Sequence, residues 1–242
     1  MHDEFGLIRR LHEVRSRLDH AAAQFGRKAV DIGLLAVSKQ QPVAVIRALA
    51  QAGQKDFGES YLQEALPKLD ALGDLPLTWH YIGQVQSNKT RSIAERFAWI
   101  HTIDRLRIAA RLNEQRPHYA PALNVCIQVK LADEPEKAGI SLEELPSLAA
   151  EVSNLPKLRL RGLMCIPPLT QTFDEQRGYF ATLARALANL NTQGFTMDTL
   201  SMGMSDDLEA AVAAGATIVR VGTAIFGERP HPNPSPLSPG RG

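Results

Sequence analysis

The stretch IGLLAVSKQQP, residues 32–42, decides between the two parallel architectures that this chain could adopt. Its apolar residues run on without the alternation of a half-exposed strand, which indicates a strand buried on both faces of a parallel sheet. Lys39 follows this strand, and Pro42 stands where the next helix would begin. The turn between strand and helix contains no glycine. A doubly wound, nucleotide-binding sheet needs a glycine-rich turn here, so the stretch favours a barrel.

Short apolar runs with the character of strands recur along the chain. They are IGLLAVS (32–38), KDFGES (55–60), WHYIG (79–83), AWIHTID (98–104), LNVCIQVK (123–130), LRLRGLMCI (158–166), TLSMGM (199–204) and TIVRVG (217–222). Segments with helical spacing lie between them, including residues 42–53, 142–155, 173–194 and 206–216. Asp206 and Glu209 predict a capping box at the start of the last of these. Eight strand-and-helix units predict a single α/β domain, a (β/α)8 TIM barrel, with an extra helix over residues 4–25.

Composition excludes several classes of protein. The 242 residues carry a net charge of +1, so the sequence indicates no basic surface for nucleic acid. The N-terminus is charged and no apolar run reaches the length of a membrane span, so we expect a cytoplasmic protein. The two cysteines, Cys126 and Cys165, are expected to be buried free thiols, with no metal site. We expect the barrel to occupy residues 1–229 and the proline-rich residues 230–242 to be disordered.

The ends of the seventh and eighth strands are candidates for binding a phosphate group. Loops at these positions often bind phosphate in this fold. The first supplies the hydroxyls of Ser201 and Ser205 with Met202 between them, and the second supplies Gly222, Thr223 and backbone N–H groups. Ordinary tight turns between strand and helix contain the same residue types, so spacing alone leaves both interpretations open.

Lys39 also has two interpretations. It reaches solvent or pairs with Glu59 of the next strand, or it is desolvated, so that its lowered pKa leaves a neutral amine able to attack an aldehyde. A lysine that faces a phosphate-binding loop is the arrangement that holds pyridoxal 5'-phosphate (PLP), with a Schiff base at one end and a phosphate cradle at the other.

Two further polar residues lie within predicted strands. Arg220 faces the barrel interior by the parity of its strand, where it would either bond to an unprotonated ring nitrogen or form an ion pair with an internal carboxylate. His80 would either contact a ligand or be a hydrogen-bonded core residue.

Five motifs, in this order, resemble the pyridoxal phosphate homeostasis protein family over residues 5–228. They are LLAVSKQQP, FGESYLQEA, WHYIGQVQSNK, GLMCIPP and SMGMSDDLEAAVAAGATIVRVGTAIFG. The resemblance implies a barrel like the N-terminal domain of alanine racemase, which is fold type III of PLP proteins. It implies that Lys39 forms the internal aldimine, that Ser201, Gly222 and Thr223 hold the phosphate, and that Arg220 meets the pyridine nitrogen. It implies a carrier or regulator of vitamin B6 and amino-acid pools without established turnover.

The chain departs from the family pattern at one position. Ser60 stands where the family usually has asparagine after Phe-Gly-Glu, so a contact to the cofactor by a shorter hydroxyl is expected there. Lys137 stands where family members often carry a lysine near the mouth of the site, and it is a weaker candidate for a second PLP contact.

Three functions fit these residues. The first is a PLP-binding homeostasis protein without turnover, with PLP-accepting apoenzymes as partners, acting as a monomer. The second is an amino-acid racemase, which needs a second base that alanine racemases take from a separate C-terminal domain, and we expect that domain to be absent here. The third is a barrel enzyme acting on a phosphorylated metabolite, with Lys39 as acid, base or Schiff-base former.

Overall fold

Eight parallel strands close into a barrel. The computed structural model describes residues 4–132, 138–170 and 172–227. The strands are Gly33–Val37 (β1), Asp56–Glu59 (β2), Thr78–Tyr81 (β3), Trp99–Ile103 (β4), Leu123–Gln128 (β5), Leu158–Met164 (β6), Thr199–Ser201 (β7) and Ile218–Val221 (β8). Each strand begins and ends inside its predicted apolar run or within one residue of it, so the predicted (β/α)8 fold is confirmed.

The strands follow one another around the barrel in chain order, and β8 pairs with β1 to close it. In that closing pair Leu35 lies opposite Arg220. All strands run parallel, so their carboxyl ends meet at the same end of the barrel. Residues that follow β1, such as Lys39, therefore lie near residues that follow β8, although almost the whole chain separates them.

Helices cover the outside of the barrel. They are Glu4–Gln24 (α1), Val43–Gln51 (α2), Leu62–Ala71 (α3), Thr90–Arg96 (α4), Leu106–Gln115 (α5), Leu145–Ser153 (α6), Phe173–Thr192 (α7), Leu208–Ala213 (α8) and Thr223–Phe226 (α9). The predicted extra helix is α1, and a 3-10 turn, Ala29–Asp31, joins it to β1. Each long helix buries an apolar stripe against the strands, as Ile46 and Leu49 do in α2.

The ends of two helices test the predicted boundaries. Pro42 precedes α2 and Gly53 follows it with a φ of 84°, as the sequence predicts. The capping box predicted at α8 is wrong, because the helix begins one residue late, after Asp207. Glu209 instead accepts a hydrogen bond from Nη2 of Arg17 in α1, at 2.6 Å. The ion pair with another helix thus replaces the local cap.

Several predictions concern residues outside or at the limits of the described ranges. The domain boundary at residue 229, the tail 230–242 and Lys137 all lie outside the described residues, so they stay predictions. Both cysteines are buried and unpaired, as expected, and burial raises the pKa of Cys126 and of Cys165 to about 12. Within the described ranges, no helix combines the length and the apolar character that crossing a bilayer requires.

Candidate ligand-binding cavity

A cavity of about 230 Å³ lies at the end of the barrel where the carboxyl ends of the strands meet. Its wall consists of residues at or just beyond the ends of six strands: Val37, Lys39, Ser60, Ile82, Met164, Ile166, Met204, Ser205, Asp206, Arg220, Gly222 and Thr223. Five of the predicted site residues are among them: Lys39, Ser60, Arg220, Gly222 and Thr223. Barrels of this fold place their chemistry at this end, so this cavity is the candidate site.

A tight turn after β1 brings Lys39 to the cavity wall. The amide of Ser38 donates to the carbonyl of Gly58 at 2.9 Å and so extends the strand pairing by one residue. The amide of Gln41 donates back to the carbonyl of Ser38 at 3.0 Å, and Gln40 between them has a φ of 62°. This left-handed residue turns the chain sharply. Lys39 is consequently half-buried at the wall.

A cluster of charged side chains lies beside this turn. Oγ of Ser38 donates to Oε1 of Glu59 at 2.6 Å, and Nζ of Lys68 donates to the same oxygen at 2.9 Å. Lys68 also donates to the carbonyl of Ser38 at 2.8 Å. Glu64 accepts hydrogen bonds from Lys68 and from the amide of Gln40. The residues on both sides of Lys39 are therefore fixed by side chains of β2 and α3.

Glu59 is the buried centre of this cluster. Burial raises the pKa of its carboxyl group, against the opposing effects of the Ser38 hydrogen bond and the Lys68 charge. Its second oxygen, Oε2, has no hydrogen-bond partner among the described residues. The carboxylate that the sequence offered as a partner for Lys39 is thus bound by Lys68, which the sequence analysis did not single out.

The loops after β7 and β8 are joined to each other. The carbonyl of Gly203, a residue with a φ of 91°, accepts a hydrogen bond from the amide of Arg220 at 2.9 Å. Oγ of Ser205 accepts one from the amide of Ala224, in the first turn of α9, at 3.4 Å. The two loops predicted to bind phosphate therefore form one surface on the cavity wall, with Ser205 and Thr223 as its hydroxyl groups.

Arg220 spans the floor between the cavity and the barrel interior. Its Nη1 atom donates to Oγ of Ser201 and its Nη2 atom to the carbonyl of Cys165, each at 2.9 Å. The side chain is almost fully buried, and this burial lowers the pKa of its guanidinium group. Arginine nevertheless stays protonated in proteins. Within the described residues no carboxylate forms an ion pair with Arg220. The neutral Ser201 and Cys165 groups take the place of the internal carboxylate that one interpretation of the sequence expected.

Three predicted site residues are not on the cavity wall. Ser201 is fully buried beneath Arg220, and Met202 is fully buried in the hydrophobic core. His80 is buried inside the barrel, where its ring stacks on Trp99 with centroids 5.4 Å apart. Its two ring nitrogens face Asp56 at 3.1 Å and His101 at 2.9 Å.

Two arginines of α1 hold the loops of the site from outside. Nη1 of Arg17 donates to the carbonyl of Ser205 at 2.6 Å, and Nε of Arg10 donates to the carbonyl of Ile225 at 2.8 Å. The extra helix therefore contacts both loops that follow β7 and β8. Nothing in the sequence indicated this role, because charged residues on an amphipathic helix normally face solvent.

Much of the cavity wall consists of residues that the sequence motifs did not indicate. No role was predicted for Ile82, Met164, Ile166 or Met204, and the acidic Asp206 was expected only to cap a helix. The available signal was position, since each lies within two residues of the end of a predicted strand. Among the described residues no group of three or more His, Cys, Asp or Glu side chains is arranged to hold a metal ion. The cavity therefore offers an amine, a guanidinium group and hydroxyl groups against an apolar side.

Comparisons with known proteins agree with this geometry. The sequence matches the family described as alanine racemase, N-terminal domain, over residues 13–230. It is 55% identical to the pyridoxal phosphate homeostasis protein of Pseudomonas aeruginosa, over 92% of this chain and 96% of that protein. The structure of PipY from Synechococcus elongatus with PLP bound is 40% identical, with a TM-score of 0.82 over 91% of this chain and 100% of that one. The structure of alanine racemase from Corynebacterium glutamicum is 17% identical, with a TM-score of 0.69. The match includes 92% of this chain and 60% of that one, and at this identity it shows a similar fold alone.

Proposed function

This chain belongs to the alanine racemase N-terminal domain family and, within it, to the pyridoxal phosphate homeostasis proteins, and from that membership we propose that it binds PLP. We propose further that it holds PLP through Lys39 without turnover and so serves intracellular PLP and amino-acid homeostasis. The names of its relatives and the PLP-bound structure of PipY support this proposal.

The residues of the cavity fit the cofactor in chemical terms. The Lys39 amine and the Thr223 hydroxyl lie on the same wall, on loops that follow neighbouring strands. PLP supplies an aldehyde, which a lysine amine joins as a Schiff base with loss of water, and a phosphate, which hydroxyl and backbone N–H groups bind. This pairing of a half-buried amine with a two-loop anion surface is the observation that carries the proposal.

Most of the predicted residues then have a proposed task, whereas the buried His80 and Met202 have no direct contact with the cofactor in this proposal. Ser205, Gly222 and Thr223 would hold the phosphate, and Arg220 would donate to the pyridine nitrogen. Because arginine remains protonated, that nitrogen would stay without a proton, which weakens the ring as an electron sink. This favours holding the cofactor over using it. Ser60 would contact the ring or its substituents from β2. Ser201, lying below Arg220, would act through it.

An absorbance and mass-spectrometric experiment tests the proposal. Adding PLP to the purified protein should produce the visible absorption band of a lysine-bound PLP, and borohydride reduction should attach the cofactor permanently to the peptide that contains Lys39. Lys39→Ala should abolish both results. Lys89→Ala is the matched control, because Lys89 follows β3 at the same end of the barrel but is not on the cavity wall. A protein that stays colourless with excess PLP would contradict the proposal and favour a different barrel activity.

An amino-acid racemase is the second candidate, favoured by the fold shared with alanine racemase. Two-base racemisation needs a second proton-transfer group on the face opposite the lysine. Incubation of the PLP-loaded protein with L-alanine, followed by chiral analysis, separates the two functions. Formation of D-alanine over many turnovers would replace the carrier proposal.

The remaining parts of the proposal concern partners and location. We propose that PLP-accepting apoenzymes are its partners and that it acts as a monomer in the cytoplasm, where its two buried unpaired cysteines suit a reducing compartment. We expect the PLP-loaded protein to activate a mixed-in apoenzyme at a certain rate. That rate should exceed the rate at which the same amount of protein releases PLP into buffer.

A further inference from the structure

Five side chains form a continuous hydrogen-bonded row through the barrel interior. Oδ1 of Asp56, at the amino end of β2, lies 3.1 Å from Nε2 of His80. Nδ1 of His80 lies 2.9 Å from Nε2 of His101, and Nδ1 of His101 lies 2.7 Å from Oγ of Ser201. Nη1 of Arg220 donates to that same oxygen at 2.9 Å. The row thus connects the amino end of the barrel with the cavity wall at the other end.

Burial favours the neutral form of both histidines in this row. His80 and His101 are 3% and 0% exposed, and burial lowers the pKa of each. The neighbouring His80 and the Arg220 charge lower the pKa of His101 further. A neutral imidazole carries a proton on one nitrogen and accepts through the other. Each histidine therefore donates one hydrogen bond in the row and accepts one.

The direction of every hydrogen bond follows from the Asp56 end of the row. The Asp56 carboxylate only accepts, so Nε2 of His80 carries the proton and its Nδ1 accepts. His101 must then donate from Nε2 and accept at Nδ1. The hydroxyl hydrogen of Ser201 consequently points to His101, and its oxygen is left to accept from Arg220, which only donates. The Arg220 end is compatible with this direction, so no bond in the row conflicts with another.

We infer that this row is a one-way hydrogen-bond chain that fixes the guanidinium group of Arg220 in the cavity wall, and that Asp56 is a positioning residue at its far end. The Ser201 and Cys165 bonds hold two of the three guanidinium nitrogens. Asp56, whose side chain is 45% exposed, lies outside the cavity and sets the direction of the hydrogen bonds along the row. The consequence for PLP binding rests on the proposed function, whereas the direction of the hydrogen bonds in the row does not.

The direction is measurable in the wild-type protein without ligand. Long-range ¹H–¹⁵N spectra of the imidazole rings distinguish the two neutral tautomers from each other and from imidazolium. We expect both His80 and His101 as the Nε2–H tautomer at neutral pH. An Nδ1–H tautomer or an imidazolium at either ring would overturn the inference, and this measurement needs no variant that folds.

Asp56→Asn tests the positioning role. An amide donates as well as accepts, so it permits the reversed tautomers, in which Ser201 would accept from both His101 and Arg220. We expect a mixed tautomer state at His80 and faster rotation of the Arg220 guanidinium group, seen as averaging of its Nη signals. Asp31→Asn is the matched control. It removes the same charge at the same end of the barrel, from an exposed residue outside the row. Unchanged Arg220 signals in Asp56→Asn, despite changed tautomers, would overturn the positioning role.

A titration with PLP connects the chain to the ligand. We expect Asp56→Asn to bind PLP about fivefold more weakly, the effect of loosening one buried hydrogen bond, with Asp31→Asn within about twofold of wild type. Equal affinity of Asp56→Asn and Asp31→Asn would contradict a role in ligand binding. If no protein in the series binds PLP, the proposed function fails, and the spectra still decide the direction of the chain.

Discussion

Lys68 and Glu59 form an ion pair within the protein, with Nζ of Lys68 2.9 Å from Oε1 of Glu59 and side chains that are 7% and 0% exposed. Removing two charges from water costs about as much free energy as their attraction returns, whereas removing one partner leaves an uncompensated buried charge. The pair also touches the turn that carries Lys39, through the carbonyl of Ser38. Its integrity should therefore affect both stability and the placement of that lysine.

Replacing Lys68 with methionine should destabilise the fold strongly. The change leaves the buried Glu59 carboxylate without its cation, so we expect the free energy of unfolding in denaturant to fall by about 3–5 kcal/mol. Arg91→Met is the control, because Arg91 pairs with Glu95 at 3.9 Å on an exposed helix face. That loss should stay within about 1 kcal/mol. Equal unfolding midpoints for the two variants would show that the buried pair contributes little.

Gly203→Ala should disturb the loop after β7. Gly203 has a φ of 91°, and a Cβ atom there would lie 2.4 Å from Cβ of Ala211. We expect a loss of about 1–3 kcal/mol in stability from the strained backbone and the clash. Gly178→Ala, in the exposed middle of α7 with no atom within 4 Å of the new methyl group, should instead stabilise the protein by roughly 0.5–1 kcal/mol. Thermal unfolding of both variants decides, and a stabilised Gly203→Ala would contradict the geometry.

Stability should fall as the pH decreases from about 7 toward 5, in part because of His101. Burial lowers the pKa of this histidine, so the folded protein keeps it neutral while the unfolded chain takes up a proton below the ordinary histidine pKa. Below the ordinary histidine pKa, the free energy of unfolding therefore falls by about 1.4 kcal/mol for each pH unit of acidification, for one proton.

The same pH series on variants isolates this effect. Carboxyl groups with a raised pKa, such as Glu59, act with the opposite sign, because the folded state binds their protons first as the pH falls. The carboxyl groups contribute equally to the pH dependence of stability in wild type and in His101→Gln, so comparing the two proteins removes that contribution. We expect the variant to lose stability less steeply between pH 7 and 5, whereas His12→Gln, on the exposed face of α1, should retain the wild-type slope. Parallel slopes for His101→Gln and wild type would rule out a neutral buried His101.

Arg17→Met should weaken PLP binding without removing Lys39, the lysine proposed to join the cofactor. Arg17 binds Glu209 and the carbonyl of Ser205, so its loss frees the loop that is proposed to bind the phosphate. We expect the dissociation constant for PLP to rise by about three- to tenfold, as for one charge-assisted hydrogen bond. Arg9→Met, which breaks an exposed pair with Glu13 on the same helix, is the control. An unaltered affinity in Arg17→Met would mean that α1 does not support the loop.

The sequence predicted the fold well because the barrel repeats a strong local signal. Each of the eight strands is a short apolar run, and the turn after the first strand lacks the glycines of the competing fold. The wall positions of Lys39, Ser60, Arg220, Gly222 and Thr223 were also predictable, because residues after parallel strands meet at one end. Strand parity alone placed Arg220 inside the barrel.

What the sequence could not indicate are contacts between side chains far apart in the chain. Lys68 lies on a helix and reads as a surface lysine, yet it reaches the buried Glu59. His101 and Ser201 lie 2.7 Å apart although a hundred positions separate them in the sequence. The capping box at α8 also failed, because the helix begins one residue later than the local pattern predicts and Glu209 pairs with Arg17 of α1. In each case the side chain contacts a residue of another element, which local propensity does not reveal.

The closing of the barrel by β1 and β8 has a consequence for the newly made chain. Lys39 leaves the ribosome early, but Arg220 and Thr223 are among the last described residues to emerge. Until β8 pairs with β1 there is no cavity, and the amine of Lys39 has neither wall nor floor around it. A ligand that needs both sides of this seam can therefore be retained only by a polypeptide that has been synthesised beyond β8 and has closed its barrel, so cofactor retention would distinguish closed barrels from chains interrupted before β8.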